Sequence, residues 1–254
     1  MTVERLAILS DVHGNLSALD AVVADARSHG VTTFVCLGDM VGKGPRGSAV
    51  VDRCRELCAV TVRGNWEDFL PATPDDGPPE HVWWRDELRP DQRDWFRTLP
   101  LSHDLLLSGR RVRLFHASAA SVHTKVHLDH TPAELAGMFA ATDLTGPGPE
   151  PTVVVYGDVH DAYVETRRGR TLVNTGSVGN PLDEPVPVYA VLEGVPGSPD
   201  PAPFAVQHVR VPYDAEAEIA VAYDVGMPAA DAWARELRTG VYRGLPLDEA
   251  PAAT

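Results

Sequence analysis

Five apolar runs in this chain stop at side chains able to hold a metal ion. Residues 6–9 precede Asp11 and His13, residues 33–37 precede Asp39, and residues 59–62 precede Asn65. Residues 111–115 precede His116, and residues 152–156 precede Asp158 and His160. Short Val/Ile/Leu-rich runs of this kind read as buried strands. Ligands of open α/β sheets gather beyond the carboxyl ends of strands. Alternate residues of an extended chain point the same way, so Asp11 and His13 can aim at one point. Gly38, Gly64 and Gly157 directly precede three of the candidate ligands, where glycine lets the backbone turn sharply. Any one ending has an ordinary explanation as a turn residue. Five in series point to a metal centre, and the mixture of imidazole, carboxylate and amide suits Mn, Fe or Zn better than Ca.

The elements that must position these residues alternate in type. Leu16, Leu19, Val22, Val23 and Ala26 keep helical spacing after a plausible cap at Asn15, and His29-Gly30 ends that helix. A Gly-rich loop at 41–47 carries Lys43 and Arg46, but its glycine spacing is not that of a nucleotide-binding phosphate loop. A helix follows over 48–58. Residues 80–99 read as one helical stretch, with Trp83, Trp84, Trp95 and Phe96 packing it onto the body; a lid over a cleft is the lesser reading. Hairpins turn at Gly109-Arg110 and Gly169-Arg170, and residues 132–141 form a helix. Strands at 188–192 and 204–211 lead to closing helices at 214–224 and 228–237. The Pro-rich stretches 71–79 and 145–151 lie between core strands and so are loops. A single domain over 1–254 is expected, with its core at about 5–211 and C-terminal helices at about 212–246.

The formal net charge of −14 argues against duplex nucleic acid or an anionic membrane as partner. It leaves room for a small phosphorylated substrate, since bound divalent cations make a site locally positive. No stretch reads as a leader or membrane span. Three cysteines, Cys36, Cys54 and Cys58, are too few to staple 254 residues and indicate a reduced, cytoplasmic setting. Cys54 and Cys58 share a helix face, where small buried residues are a better reading than a thiolate metal site.

In order and spacing these residues resemble the calcineurin-like metallophosphoesterase family, whose pattern is Asp-x-His, Gly-Asp, Gly-Asn-His, His and Gly-His-x-His. The likeness runs from Asp11 to Gly179, about two-thirds of the chain, and includes the Asn-x-Gly-Ser-x-Gly loop at 174–179. It implies an α/β fold, a two-sheet β-sandwich flanked by helices in four layers, here with a C-terminal helical extension. It also implies two divalent cations, Mn before Fe or Zn. Asp11, His13, Asp39 and His160 would hold one, and Asp39, Asn65 and His116 the other, with Asp39 bridging. The implied activity is hydrolysis of a phosphodiester or activated phosphomonoester by a bridging hydroxide, with Asp11, His13, Asp39 and Asn65 as catalytic residues.

Two positions depart from the pattern. Trp66 stands where the fuller motif has His, which removes an imidazole and adds an apolar face for a base or aryl ring. Asp158 stands where it has His, and a carboxylate there can still ligate. Asn65, Trp66, Lys43, Arg46, His123 and His127 are the candidates for substrate contact, the last four weighed against ordinary solvated roles. The alternative reading is a binding or scaffold protein with a decayed site. Retention of Asp11, His13, Asp39, Asn65, His116 and His160 argues against it. A nuclease is disfavoured by the acidic balance.

Overall fold

The computed structural model describes residues 2–245. The far ends of the expected domain and of its C-terminal helical region lie outside the described residues. Among the described residues ten strands form two five-stranded sheets. In the first, β1 (Glu4–Leu9), β2 (Thr33–Cys36) and β3 (Cys58–Thr61) run parallel, β9 (Val188–Gly194) pairs antiparallel with β1, and β10 (Ala205–Arg210) pairs antiparallel with β9 at the edge. In the second, β5 (Arg110–Phe115), β6 (Val153–Tyr156) and β8 (Arg170–Thr175) run parallel, between antiparallel edge strands β4 (Ser102–Leu107) and β7 (Ala162–Arg167).

Side-chain alternation on the strands builds the layers. Leu6 and Ile8 of β1 join Val35, Leu114, Val155 and Val173 in the core between the sheets. Ala7 and Leu9 face the other way, onto helices α1 (Leu16–Ser28) and α2 (Gly47–Leu57). On the far side of the second sheet, Phe115, Val154 and Tyr156 pack with Met138 of helix α6 (Pro132–Met138). The expected four-layer α/β sandwich is therefore present.

The stretch at 80–99 is two helices rather than one. α4 (Pro79–Glu87) stops before the extended residues Leu88 and Arg89, and α5 (Pro90–Thr98) begins at the proline. Pro90 has no N–H to donate and disfavours helical backbone in the residue before it, so a continuous helix cannot form. The aromatics pack onto the body: Trp84 and Phe96 are buried in the core shared with α1 and α2, and Trp83 and Trp95 lie against it. A short helix, α3 (Asn65–Phe69), follows β3, and Glu67 at its third position accepts the Gly64 N–H at 3.0 Å. Helices α7 (Ala215–Asp224) and α8 (Ala230–Thr239) pack together through Ile219, Ala222, Trp233 and Leu237. Among the described residues no helix is long and apolar enough to cross a membrane.

Candidate metal centre

The loops after β1, β2, β3, β5 and β6 meet where the two sheets abut, bringing ligands from both sheets to one spot. Asp11, His13 and His160 offer atoms within 4.8 Å of one another, and so do Asp11, Asp39 and His116. All five are buried. Asp11, His13, Asp39, Asp158 and His160 hold left-handed backbone, with φ between +46° and +66°. Such conformations cost about 1–3 kcal/mol each and persist only where the surroundings impose them. Here the loops brace one another. Asp11 N–H donates to Gly38 O at 3.1 Å, His13 N–H to Asp39 O at 2.9 Å, and Gly179 N–H to Asp11 O at 3.0 Å.

The three glycines before ligands do different work. Gly38 has φ +96° and supplies the turn, whereas Gly64 has an ordinary φ of −88°. A Cβ on Gly64 would lie 2.2 Å from Asp39 Oδ1, and one on Gly157 2.0 Å from Ser10 Oγ. Close approach, and not turning, is what Gly64 and Gly157 provide.

Backbone carbonyls fix the imidazoles. His13 Nδ1 is 2.9 Å from Val41 O, His116 Nδ1 is 2.9 Å from Leu37 O, and His160 Nδ1 contacts Asn180 O. A carbonyl only accepts, so each Nδ1 carries a proton and each Nε2 is the ring atom turned toward the centre; against burial, Asp39 and Asp158 hold His116 well above the usual imidazole pKa. His13 Nε2 and His160 Nε2 face each other at 3.2 Å, with Asp11 Oδ1 3.2 Å from the latter. Asp11 Oδ2 accepts from Ser10 Oγ at 2.6 Å and from the Asp158 N–H at 2.9 Å. Asp39 turns one oxygen to each side: Oδ2 is 3.7 Å from His13 Nε2 and Oδ1 is 3.4 Å from His116 Nε2. Its Oδ1 also accepts the Trp66 N–H at 3.0 Å. Asn65 Nδ2 donates to Asp158 Oδ1 at 2.8 Å.

Charge is crowded here. Burial, with Asp11 and Asp158 nearby, raises the Asp39 pKa. Burial opposes ionisation of Asp158 too, but His116 outweighs it and lowers its pKa. His13 is held well below the usual imidazole value by burial, then by Lys43 and His160. Among the described residues, Asp11 Oδ1, His116 Nε2 and Asp158 Oδ2 are buried without any hydrogen-bond partner. Orphaned buried polar atoms are costly. Carboxylate oxygens and imidazole nitrogens converging here, three of them unpartnered, form a ligand set that fits divalent cations.

The centre floors a cleft of about 680 Å³ whose lining includes Asp39, Lys43, Asn65, Trp66, Asp158 and His160. Lys43 Nζ lies 3.2 Å from Asn180 Oδ1 and 3.4 Å from His160 Nε2, and burial pushes its pKa down to about 8. Trp66 is wedged edge-on against His13 and Trp84, at centroid distances of 5.6 and 5.4 Å. A Cβ on Gly42 would lie 2.0 Å from the indole, so only glycine admits it. His127 reaches the rim.

Two expected substrate contacts lie elsewhere. Arg46 is claimed by the buried carboxylate of Glu218 and by Ser17 Oγ at 2.8 Å, which ties the Gly-rich loop to α1 and α7. His123 is exposed and pairs with Asp68 at 2.9 Å, away from the cleft lining. Cys54 is buried and its thiol is pushed well up by its contacts with Cys36 and Cys58, and by burial, so it stays protonated.

Other site residues escaped sequence reasoning. Lys125 lines the cleft 3.9 Å from Asp158 Oδ1. It lies in a loop without periodicity, between histidines that drew the attention. Buried Glu67 accepts the backbone N–H groups of Asp39 at 2.7 Å and Met40 at 2.8 Å, locking the second ligand loop to the third. Its place two residues after Gly-Asn was the available signal. Asn180, directly after the Asn-x-Gly-Ser-x-Gly loop, joins His160 to Lys43.

The sequence profile of the calcineurin-like phosphoesterase superfamily domain matches residues 5–195. An uncharacterized protein of Methanocaldococcus jannaschii is 26% identical over 232 residues, covering 84% of this chain and 90% of the relative. The crystal structure of a metallophosphoesterase from Sphaerobacter thermophilus superposes with a TM-score of 0.71 at 26% identity, covering 94% of this chain and 100% of the other. A hypothetical protein from Pyrococcus horikoshii shares the fold with a TM-score of 0.68 at 14% identity, covering 95% of this chain and 99% of the other. With this match over most of its length and the ligand cluster at its strand ends, the chain belongs to the calcineurin-like phosphoesterase superfamily and is a hydrolase of phosphate esters.

Proposed function

We propose that the protein hydrolyses phosphodiesters, or phosphomonoesters with a good leaving group, at a centre of two divalent cations. Asp11, His13, Asp39 and His160 would hold one cation, and Asp39, Asn65, His116 and Asp158 the other. Asp11 belongs to both close groups of candidate ligands, and each aspartate has one oxygen already accepting from the protein: Asp11 Oδ2 from Ser10 and the Asp158 N–H, Asp39 Oδ1 from the Trp66 N–H. Asp39, with an oxygen toward each imidazole, is the better bridge. The observation that carries the reading is the convergence of His13 Nε2, His160 Nε2 and Asp11 Oδ1, three buried ligating atoms that a single cation would join. Bound there, divalent cations supply Lewis acidity toward phosphoryl oxygens and a water of lowered pKa.

The chain's own groups do the rest. Lys43 and Lys125 flank the centre as cations that draw in and orient a phosphoryl group. Asp158 fixes the Asn65 amide by accepting from its Nδ2, which leaves Oδ1 as the atom free to ligate. An indole cannot release its proton at neutral pH, so Trp66 protonates no leaving group. The substrate must then carry one already stable as an anion. The oxygen-rich second ligand set favours Mn over Zn.

A small phosphorylated substrate, and not duplex nucleic acid or a membrane, suits the net charge of −14. The three free thiols support a cytoplasmic setting, and the shared core of α1, α2 and the first sheet supports a single domain. The test is elemental analysis of protein purified without chelator, together with Mn-dependent hydrolysis of bis(p-nitrophenyl) phosphate. Neither metal nor hydrolysis would overturn the proposal.

A further inference from the structure

The lining of the cleft is of two kinds. One is the ligand cluster with Lys43 and Lys125. The other is apolar and includes Trp66 and Phe69 from α3, Trp66 lying directly beside the cluster, together with Val241, Tyr242 and Leu245. Those last three lie beyond the 5–195 segment that matches the family profile. They come from the stretch after α8, and its placement is built rather than incidental. Gly240, with φ +67°, ends α8 and turns the chain, its N–H donating to Glu236 O at 2.8 Å. The Glu236 carboxylate is fully buried and takes three hydrogen bonds from Arg243: the backbone N–H at 2.9 Å, Nε at 2.9 Å and Nη2 at 2.7 Å. The same carboxylate accepts from Asn180 Nδ2 at 3.4 Å, and Asn180 holds Lys43. One buried group thus ties the tail to the polar part of the site. A tail free in solvent has no use for a buried, doubly engaged carboxylate, since burying a charge is costly unless it is paired.

What the latch presents is apolar. Tyr242 and Leu245 are 49% and 46% exposed although large and hydrophobic, and both line the cleft. A phosphoryl group alone needs only the polar part, whereas a cleft of about 680 Å³ is of the size that holds a whole small-molecule ligand. Trp66, Phe69, His127 and Tyr242 supply aromatic surface to its lining, which favours a planar ring over an alkyl chain.

We propose that the stretch 240–245 is a specificity element of the cleft, in which Val241, Tyr242 and Leu245 complete with Trp66 and Phe69 a seat for a planar aromatic group carried by the phosphate ester. This rests on the phosphoesterase reading above and names its substrate class: aryl phosphate esters, or nucleotide-type diesters and anhydrides whose leaving group is already stable as an anion.

The test is calorimetric binding of non-hydrolysable phosphonates to the metal-loaded full chain. The probes are methyl-, hexyl- and phenylphosphonate and the phosphonate analogue of a nucleoside monophosphate. Phenylphosphonate is expected to bind about tenfold more tightly than methylphosphonate, and more tightly than hexylphosphonate. Tyr242→Ala should cut the phenyl-over-methyl margin about threefold to tenfold. Leu245→Ala provides a second reading, and both sites are exposed enough for the variants to fold. A nucleoside analogue tighter than phenylphosphonate marks a nucleotide-type substrate, and a weaker one marks a simple aryl ester; both support the proposal. Equal binding of methyl and phenyl probes, a hexyl probe matching the phenyl one, or an unchanged margin in both variants would overturn it. Hydrolysis of bis(p-nitrophenyl) phosphate by the same preparation reports separately on the phosphoesterase reading, because the binding measurement needs no turnover.

Discussion

Asn65 and Asp158 are joined side chain to side chain, with the amide Nδ2 donating to the carboxylate Oδ1 across 2.8 Å. A carboxylate only accepts, so this bond decides which way the amide faces. It also couples a candidate ligand that follows β3 of the first sheet to one that follows β6 of the second. Asp158 Oδ2 is left buried and partnerless, which is the state of an atom prepared for a cation.

That pairing makes Asp158 the place to alter metal preference. Asp158→His exchanges an oxygen donor for an imidazole and removes the acceptor for Asn65. Activity should shift from Mn toward Zn, since imidazole suits Zn and oxygen ligands suit Mn. An unchanged profile across Mn, Fe and Zn would show that Asp158 does not ligate.

Asp39 is expected to be the least replaceable ligand, because its two oxygens face His13 and His116 separately, at 3.7 and 3.4 Å. Asp39→Asn should therefore cost more activity than Asp158→Asn. The reverse order in kcat/KM would show that the bridging role lies elsewhere, with Asp11 the first residue to examine.

Removal of metal should cost stability as well as activity, because it leaves Asp11 Oδ1, His116 Nε2 and Asp158 Oδ2 buried without partners. A cation present at a hundred times its Kd adds about 2.7 kcal/mol to a folded state that alone binds it. For a chain of this size that is a rise in Tm of about 5–10 °C. Thermal melts of chelator-treated protein with and without Mn measure it, and coincident melts would count against the centre.

Much of the site was legible because every candidate ligand lies within four residues of the end of an apolar run, and apolar runs are what a sequence displays best. The left-handed backbone at Asp11, His13 and Asp158 was not legible, since Asp and His enter that region more often than most residues yet still only in a small minority of positions. Arg46 misled because its partner, Glu218, lies 172 positions away and only the packing of α7 brings it near. The tail at 240–245 has no periodicity, and its position depends on contacts made only in the fold, of Arg243 with buried Glu236 and of Arg235 with the Tyr242 and Arg243 carbonyls. The break at Pro90, in contrast, stood in the sequence and was outweighed by the run of aromatics around it.

Away from the metal centre, Glu87 sets a pH dependence of stability. Its carboxylate caps α2 by accepting the N–H groups of Gly47 at 3.0 Å and Ser48 at 3.2 Å, but burial dominates and pushes its pKa up to about 7. A folded-state pKa above the unfolded value of 4.5 means that the folded chain holds the extra proton between those values. Stability from this group is then fully present below about pH 4.5 and is lost as the pH rises through about 7. At 1.36 kcal/mol per unit the loss reaches about 3 kcal/mol. Buried Glu67, also raised to about 7, adds a decline of the same sign in metal-free protein. Glu87→Gln keeps an acceptor without the charge, so unfolding free energies between pH 5 and 8 should fall less steeply in the variant. Equal slopes would show that Glu87 titrates normally.

The last prediction concerns the leaving group and rests on Trp66. General acid catalysis typically contributes about a hundredfold to ten-thousandfold. Trp66, held edge-on to His13 and standing over Gly42, offers no proton at neutral pH. Alkoxides are poor leaving groups without an acid, whereas phenolates depart unaided. Across substituted phenyl phosphate esters the rate should therefore rise steeply as the phenol becomes more acidic, with sugar and glycerol phosphates poor substrates. Trp66→His restores an imidazole at this position and should flatten that slope while improving the alkyl esters most. A wild-type slope that is already flat would mean that another group protonates the leaving oxygen. Lys43, half-buried beside His160 with its pKa lowered to about 8, and Lys125 near Asp158 are the cations on hand to do so. Replacing each with Met in turn would then identify which of them gives up the proton.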